Sequence, residues 1–279
     1  MKPFLVMQTD FGQGIATSTM RGVILSIDPH LRVFDNSHDI RPFNTYEASY
    51  ALFFTLPFWP PGSIFISVVD PGVGTNRRAS VALLANGSYV VTPDNGSLTH
   101  MKKVIGIQAI REIDQTRHRL PSTRKVDIFH GRDLFAYCAG KLASGVISFE
   151  EVGPSYPLDE IVLLPQLPVQ VDGRTISGML ESADRRFGLV CSNIPYTVFE
   201  DRGIDHGDRF MVSIRHQGRL VFQETLPFLP SFGHVDKGEA LIMVSETQQI
   251  QVAINQGNLS LDYDLESGPD WTIDLEAVL

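Results

Sequence analysis

The sequence predicts an α/β protein, with an N-terminal α/β domain built on a largely parallel central sheet and a smaller C-terminal all-β barrel or sandwich domain. Three observations predict it. Apolar runs of strand length alternate with stretches of helical period through the first half of the chain. Residues 63–69, Ser-Ile-Phe-Ile-Ser-Val-Val, are apolar on both faces, as a strand between two helix layers must be. Beyond Pro165 and Pro168 the helical period gives way to short alternating runs separated by Gly, Asp and Asn.

In chain order, residues 4–7 form an apolar strand that ends in Thr9 and Asp10. Glycines follow, and then Met20, Val23, Ile24 and Ile27 at helical spacing, giving strand, polar loop and helix. Residues 31–34 read as a second strand ending at Asp35. Residues 46–56 carry apolar residues all around a helix that Pro57 and Pro60-Pro61 stop. The 63–69 strand ends at Asp70, residues 79–84 and 89–92 add two more, and Leu134, Phe135, Cys138, Ala139 and Leu142 mark an amphipathic helix after His130. The expected boundaries are 1–155 for the first domain, 156–168 for a linker and 169–279 for the second domain. There the runs 175–180, 209–214, 240–244 and 249–254 read as closely spaced strands.

With 279 residues, 43% hydrophobic and 20% charged, the chain can bury a full core and lacks the charge excess of a disordered one. A net charge of -9 with scattered Lys and Arg leaves no basic stripe, so nucleic acid is not an expected partner. No run approaches the roughly 18 apolar residues of a membrane helix, and the amino terminus turns polar too soon for a signal peptide. The expectation is a cytoplasmic protein without a membrane partner. Cys138 and Cys191 stand far from each other and from clustered His, which argues against a zinc motif or a disulfide framework. Both read as buried small hydrophobes.

Ligands of open parallel sheets sit beyond the carboxyl ends of the strands, and three strands here end in aspartate: Asp10, Asp35 and Asp70. A single Asp in such a place serves a surface turn equally well, so the weight lies in the set. The run Val68-Val-Asp-Pro-Gly-Val-Gly-Thr-Asn-Arg77 adds a proline that fixes the strand exit and two glycines, Gly72 and Gly74, that allow close backbone approach. Of Arg77 and Arg78, one placed near Asp70 would hold its carboxylate charged and oriented. Phe129-His130-Gly131-Arg132-Asp133 puts His130 at a helix entrance. A lone histidine is more often structural, so its neighbours decide. Pro93-Asp94-Asn95-Gly96 is a turn in which Asn95 can offer both a donor and an acceptor. Gly12-Gln13-Gly14 after a strand, with Asp35 beyond, partly matches a dinucleotide fingerprint. It fails at Thr17, where Gly or Ala is needed, and at Asp10, which would repel a pyrophosphate. No phosphate loop, zincin or nucleophile-elbow motif occurs.

Together, Thr9-Asp10-Phe11-Gly12, Ser37-His38-Asp39-Ile40, residues 68–78, Pro93 to Gly96 and Phe129 to Asp133 resemble the S-adenosylmethionine hydroxide adenosyltransferase family, relatives of the fluorinase and chlorinase. The likeness runs nearly end to end, with further similarity at residues 184–194, 232–244 and 250–258. It implies hydrolysis of S-adenosyl-L-methionine at ribose C5′ to adenosine and L-methionine, with no cofactor and no metal. Asp70, Arg77 and His130 would hold and activate the water. The carboxylate and imidazole would accept from it, and the guanidinium would keep the carboxylate charged. By the same resemblance Asp10 would bind the ribose hydroxyls, Phe43 would pack on the nucleoside and Asn95 would lie near the site. Asp184 and Phe187 would come from the second domain of a neighbouring subunit in a homotrimer. The halogenating relatives lack this Asp and His, which favours water over halide.

The chain departs from the family pattern in two places. Residues 13–17, Gln-Gly-Ile-Ala-Thr, lack the second acidic residue that helps to hold the methionine amino group, and Leu189 stands where an adenine-contacting Asn is expected. Glu246, in Ser245-Glu246-Thr247, is a candidate to supply the missing carboxylate. These departures leave open a different adenosyl substrate, or a binding protein for an adenosyl compound without turnover. A nicotinamide-dependent oxidoreductase is a third reading, resting on the incomplete glycine pattern.

Overall fold

The computed structural model describes residues 2–278, in two compact units, one running to Leu164 and the other beginning at Pro165. In the first unit β1 (Phe4–Thr9) leads to α1 (Ile15–Ile27), β2 (Arg32–Ser37), α2 (Thr45–Thr55), β3 (Ile64–Val68), β4 (Ala79–Leu84), β5 (Tyr89–Pro93) and β6 (Ile107–Glu112). The short α3 (Gln115–His118) and α4 (Tyr137–Ser144) follow. The strands form one sheet in the order β2-β1-β3-β5-β4-β6.

This sheet is mixed, which corrects the expectation of a largely parallel one. Pairs β1/β2, β1/β3 and β3/β5 are parallel, whereas β4/β5 and β4/β6 are antiparallel. The cause is local. Ala85-Asn86-Gly87 closes a three-residue hairpin loop in which Leu84 and Ser88 pair, the Gly87 N–H donates to Leu84 O and Gly87 takes φ +82°, so β4 returns as β5 without a crossover helix. Helices α1 and α2 make the crossovers behind the parallel β1/β2 and β1/β3 pairs, and β4 lies in the chain between the parallel β3 and β5.

All five residues of β3 are buried, and the two-residue period of a strand divides them between layers. Ile64, Ile66 and Val68 join Met20 and Ile24 of α1 with Cys138 and Ala139 of α4, while Phe65 joins Leu52, Leu56, Leu98 and Met101 on the other face. The α1–α4 contact is close enough to require a glycine: a Cβ at Gly140 would stand 2.7 Å from Ile27 Cδ1. Asn44 caps α2 by accepting the Glu47 N–H (2.9 Å), and Pro57 ends it in a 3₁₀ turn.

Residues 156–164, expected as linker, pack on the first unit. The Tyr156 hydroxyl and the Val162 N–H donate to the two oxygens of Asp94 (both 3.0 Å), and the Leu164 N–H donates to Thr99 Oγ1 (2.9 Å).

The second unit is built from β7 (Gln170–Asp172), β8 (Thr175–Ala183), β9 (Val190–Pro195), α5 (Tyr196–Asp201), β10 (Arg209–His216), β11 (Arg219–Pro227), β12 (Ala240–Val244), β13 (Gln249–Ile254), α6 (Leu259–Asp262) and β14 (Gly268–Ala277). Its strands pair antiparallel in the order β11-β10-β14-β8-β9-β13-β12, with β7 on β8. The Leu229 N–H donates to Ile242 O (2.8 Å) where the chain leaves β11. This brings the two ends of the sheet together as a nearly closed barrel around Ile176, Leu180, Val212, Ile214, Ile273 and Leu275. Cys138 and Cys191 are both buried and form no disulfide among the described residues, and burial pushes the Cys138 thiol up to about 12. No helix among the described residues is long and apolar enough to cross a membrane.

Candidate active site

The site begins where β1 and β3 end side by side. Thr9 and Val68 are register partners, so the loops that carry Asp10 and Asp70 leave the sheet next to each other. Asp35 does not join them. It lies inside β2, opposite Met7, and is taken up by Arg21 of α1 and by His38.

Asp70 opens a loop of tight turns, with the Val73 N–H on Asp70 O and the Thr75 N–H on Gly72 O. Two glycines make its path possible. A Cβ on Gly72 would crowd Arg77 Cγ at 3.2 Å. Gly74 takes φ +77° and would crowd Asp127 O at 3.1 Å. The loop thereby lays the Arg77 stem back across its own base. Arg77 Nε donates to both Asp70 oxygens (2.9 and 3.0 Å) and Nη2 to Oδ2 (2.5 Å), a side-on pairing that fixes the carboxylate plane. The pair is dry, with side chains 8% and 5% exposed, and the guanidinium also lies 5.2 Å from the Phe135 ring centroid.

His130 caps a π-helical turn, Gly131–Ala136, that runs into α4, and it is 3% exposed. Arg77 Nη2 lies 2.8 Å from its Nδ1. A guanidinium can only donate, so Nδ1 accepts and the proton of the neutral ring resides on Nε2. Burial pushes the pKa of His130 below its ordinary value, and the charges of Arg77 and Arg119 push it further, so the ring is neutral near pH 7. Its buried Nε2 has no hydrogen-bond partner among the described residues, and neither has Arg77 Nη1. An unpaired buried donor costs about 1–3 kcal/mol. This arrangement refines the expectation that His130 accepts from water: a neutral His130 offers an N–H, while the acceptor in the set is Asp70.

Asp10 is half-buried. Burial raises its carboxyl above the usual range, the Phe43 N–H bond opposes this, and the nearby Asp70 charge raises it further. The Phe43 N–H reaches Asp10 Oδ2 at 2.9 Å while Phe43 holds φ +69°, a conformation rare for a bulky side chain, with its ring 71% exposed. Asn95 is committed internally. Its Nδ2 donates to Val69 O (2.9 Å), its Oδ1 accepts from the Ser97 hydroxyl (2.7 Å), and it therefore anchors the end of β3 ahead of Asp70.

Asp70, Arg77, His130, Asp10, Phe43 and Asn95 thus gather in the first unit. Asp184, Phe187 and Glu246 lie in the second. There Asp184 Oδ1 accepts the N–H groups of Arg186 and Phe187 (2.6 and 2.8 Å) in a turn with Gly188 at φ +75°, and the Phe187 ring and Glu246 are exposed. Two residues of the first unit escaped the sequence reading. Arg119 pairs with Asp127 (2.7 Å), adds its charge beside His130 and keeps a buried Nε without a partner among the described residues. It sits in an irregular polar stretch that carries no motif. Phe11 meets Phe129 edge-on at 5.7 Å and packs against Gly131, where a Cβ would come within 3.0 Å of its ring; the two glycine-bearing motifs that hold these residues were the signal. No group of three or more His, Cys, Asp or Glu among the described residues is placed to hold a metal ion.

Residues 5–153 match the model of the SAM hydroxide adenosyltransferase N-terminal domain and residues 179–272 that of its C-terminal domain. The chain is 28% identical over 269 residues to an (R)-S-adenosyl-L-methionine hydrolase of Methanocaldococcus jannaschii, covering 93% of this chain and 92% of that one. It is 27% identical over 297 residues to a fluorinase of an Actinoplanes species, covering 97% of each. Among solved structures, an uncharacterized conserved protein from Thermotoga maritima matches with a TM-score of 0.85 at 31% identity, over 98% of this chain and 99% of that one.

Proposed function

The chain belongs to the SAM hydroxide adenosyltransferase family, and from that premise we infer that it hydrolyses S-adenosyl-L-methionine at ribose C5′, releasing adenosine and L-methionine. The single observation that carries water as the nucleophile is the buried His130 Nε2, without a partner among the described residues and linked through Arg77 to the Asp70 carboxylate. A water held there accepts from Nε2–H and donates to Asp70, which turns its lone pair in one direction. In line with the C–S bond and roughly 3 Å from C5′, such a water needs little further activation, because a sulfonium leaves readily.

The new O–C5′ bond forms as C5′–S breaks. The electron pair goes to sulfur, giving the neutral thioether of methionine, and the water proton passes to Asp70 and then to solvent. The substrate carries a positive charge that its sulfur loses in the transition state. That charge passes to the attacking oxygen unless its proton is taken up, and the Asp70 carboxylate, kept charged by Arg77, accepts the proton as the bond forms. A carboxylate in the nucleophile position opposes halide, so the reading follows the hydrolase relatives rather than the fluorinase.

Within this reading Asp10 holds the ribose hydroxyls, Phe43 packs on the nucleoside and Asn95 acts through the end of β3. Asp184, Phe187 and Glu246 of a neighbouring subunit complete the site in a homotrimer. The exposed Phe43 and Phe187 rings support that assembly, since each lacks cover within its own unit. Two buried cysteines that form no disulfide fit a reducing compartment such as the cytoplasm.

Incubating purified protein with S-adenosyl-L-methionine in H₂¹⁸O tests the reading. The expected products are adenosine and methionine in equal amounts, with the heavy oxygen on the adenosine 5′-hydroxyl. Supplying the two sulfonium epimers separately tests whether the preference in the names of the hydrolase relatives extends to this chain. No adenosine from either epimer overturns it.

A further inference from the structure

Ser37-His38-Asp39-Ile40 is the motif of the sequence to which no role in the site has been given. His38 is buried, with a side chain fully shielded from solvent. Its Nε2 lies 3.0 Å from Asp35 Oδ1, and Asp35 is in turn paired with Arg21 of α1. A carboxylate fixes the proton on the nitrogen that faces it, so Nδ1 accepts from the Thr9 hydroxyl at 2.9 Å. Thr9 Oγ1 then receives the Phe11 N–H (3.2 Å), and the His38 carbonyl receives the Gly12 N–H (2.8 Å). The bonds made by the Nδ1 and the carbonyl of His38 lead to Thr9, Phe11 and Gly12. Asp10 stands between them.

The order resembles a carboxylate–histidine–hydroxyl nucleophile, but Thr9 is completely buried and its oxygen already accepts a backbone N–H, so no substrate reaches it. What the chain of bonds does is hold a turn. The segment from Thr9 to Gly12 leaves a buried strand and needs its N–H groups satisfied, and His38 satisfies two of them, one directly and one through Thr9. The far end of the relay is the Arg21–Asp35 pair, both about one-third exposed, so the orientation of a buried imidazole is set from the surface.

We propose that His38 is a positioning residue for substrate binding: it fixes the Thr9–Gly12 turn so that the Asp10 carboxylate meets the two ribose hydroxyls. The proposal rests on the assignment of Asp10 to the ribose. Precise placement matters because a carboxylate that accepts from two vicinal hydroxyls loses both bonds when it rotates.

The test is calorimetric binding of adenosine and of 2′,3′-dideoxyadenosine, which lacks both hydroxyls. The unsubstituted protein is expected to prefer adenosine. His38→Leu and Thr9→Val are each expected to weaken adenosine binding by about tenfold while leaving the dideoxy ligand within about twofold. His38→Asn keeps an acceptor near the Nδ1 position and is expected to recover most of the loss. Should His38→Leu fail to fold, Thr9→Val carries the same comparison, since it is nearly isosteric. Equal affinity of the unsubstituted protein for the two ligands overturns the Asp10 assignment and the proposal with it. A hydroxyl preference that survives both substitutions, or an equal loss for both ligands, overturns the positioning role alone.

Discussion

His118 and His130 occupy two regions of the same unit that are built alike up to one atom. Each ring is almost fully buried, at 1% and 3% exposure, and each accepts at Nδ1 from a cation, Lys141 Nζ at 2.9 Å for His118 and Arg77 Nη2 at 2.8 Å for His130. Burial leads in pushing both below the ordinary histidine range. The difference is Nε2. In His118 it donates to the Glu151 carbonyl at 2.8 Å, which closes the last hydrogen bond of the ring; in His130 it meets no partner among the described residues. A buried histidine by itself therefore says nothing about function. What marks a site is a polar atom that the fold buries and then leaves for something else.

The largest expected effect breaks this comparison at its functional end. Asp70→Asn and His130→Ala are expected to lower kcat by about 10²–10⁴-fold, read as adenosine release under saturating substrate. His118→Ala is expected to leave kcat within about twofold and to lower stability by about 1–3 kcal/mol, because it strands the Glu151 carbonyl and takes one acceptor from the Lys141 ammonium. A folded His118→Ala protein without turnover would show that the closed hydrogen bond is no guide.

A narrower pair asks what His130 supplies. His130→Gln places an amide N–H near the Nε2 position and His130→Asn does not, so Gln is expected to retain about tenfold more activity. Equal activity of the two variants would mean that His130 is not acting as a donor to the water.

The pH dependence follows from the two depressed values. Each ring stays neutral in the folded protein at pH values where an unfolded histidine, with a pKa of about 6.5, takes up a proton. The stability each contributes is therefore complete above about pH 6.5 and is lost as pH falls from there through the folded value. Activity is expected to hold level between about pH 7 and 6.5, without the inflection of an ordinary histidine, and to fall only in more acid solution where His130 becomes charged. An inflection at about pH 6.5 that disappears in His118→Gln would assign the titration to the wrong ring.

The sequence carried the parts of this site that depend on residue type and strand period. β3 was legible because its two faces are both apolar, and Gly72 and Gly74 announced a loop that a Cβ would block. Residues 4–7, 240–244 and 249–254 coincide with β1, β12 and β13 to within two residues. Asn86-Gly87 is the local signal of the antiparallel half of the first sheet, a short hairpin loop that the alternation of apolar runs does not reveal. β6 went unread because Gln108, Arg111 and Glu112 interrupt its pattern at the edge of the sheet. The π-helical turn that presents His130, the tautomer set by Arg77 and the internal use of Asn95 depend on partners distant in the chain, which no local window contains.

Phe43 extends the comparison from hydrogen bonds to backbone strain and carries the smallest expected effect. A bulky residue at φ +69° costs on the order of 1 kcal/mol or more, and its ring, 71% exposed, returns little burial to offset that cost. Glycine adopts this conformation freely. Phe43→Gly keeps the N–H that donates to Asp10 and is expected to raise stability by up to about 1 kcal/mol by relieving the strain, less whatever the added freedom of the unfolded chain removes. The same substitution is expected to weaken adenosine binding severalfold, since it deletes the surface on which the nucleoside packs. Denaturant midpoints and calorimetry read the two effects separately. Stability that falls by more than 1 kcal/mol would make Phe43 a structural residue, and then strain, unlike the unpartnered Nε2 of His130, would not be a marker of the site in this fold.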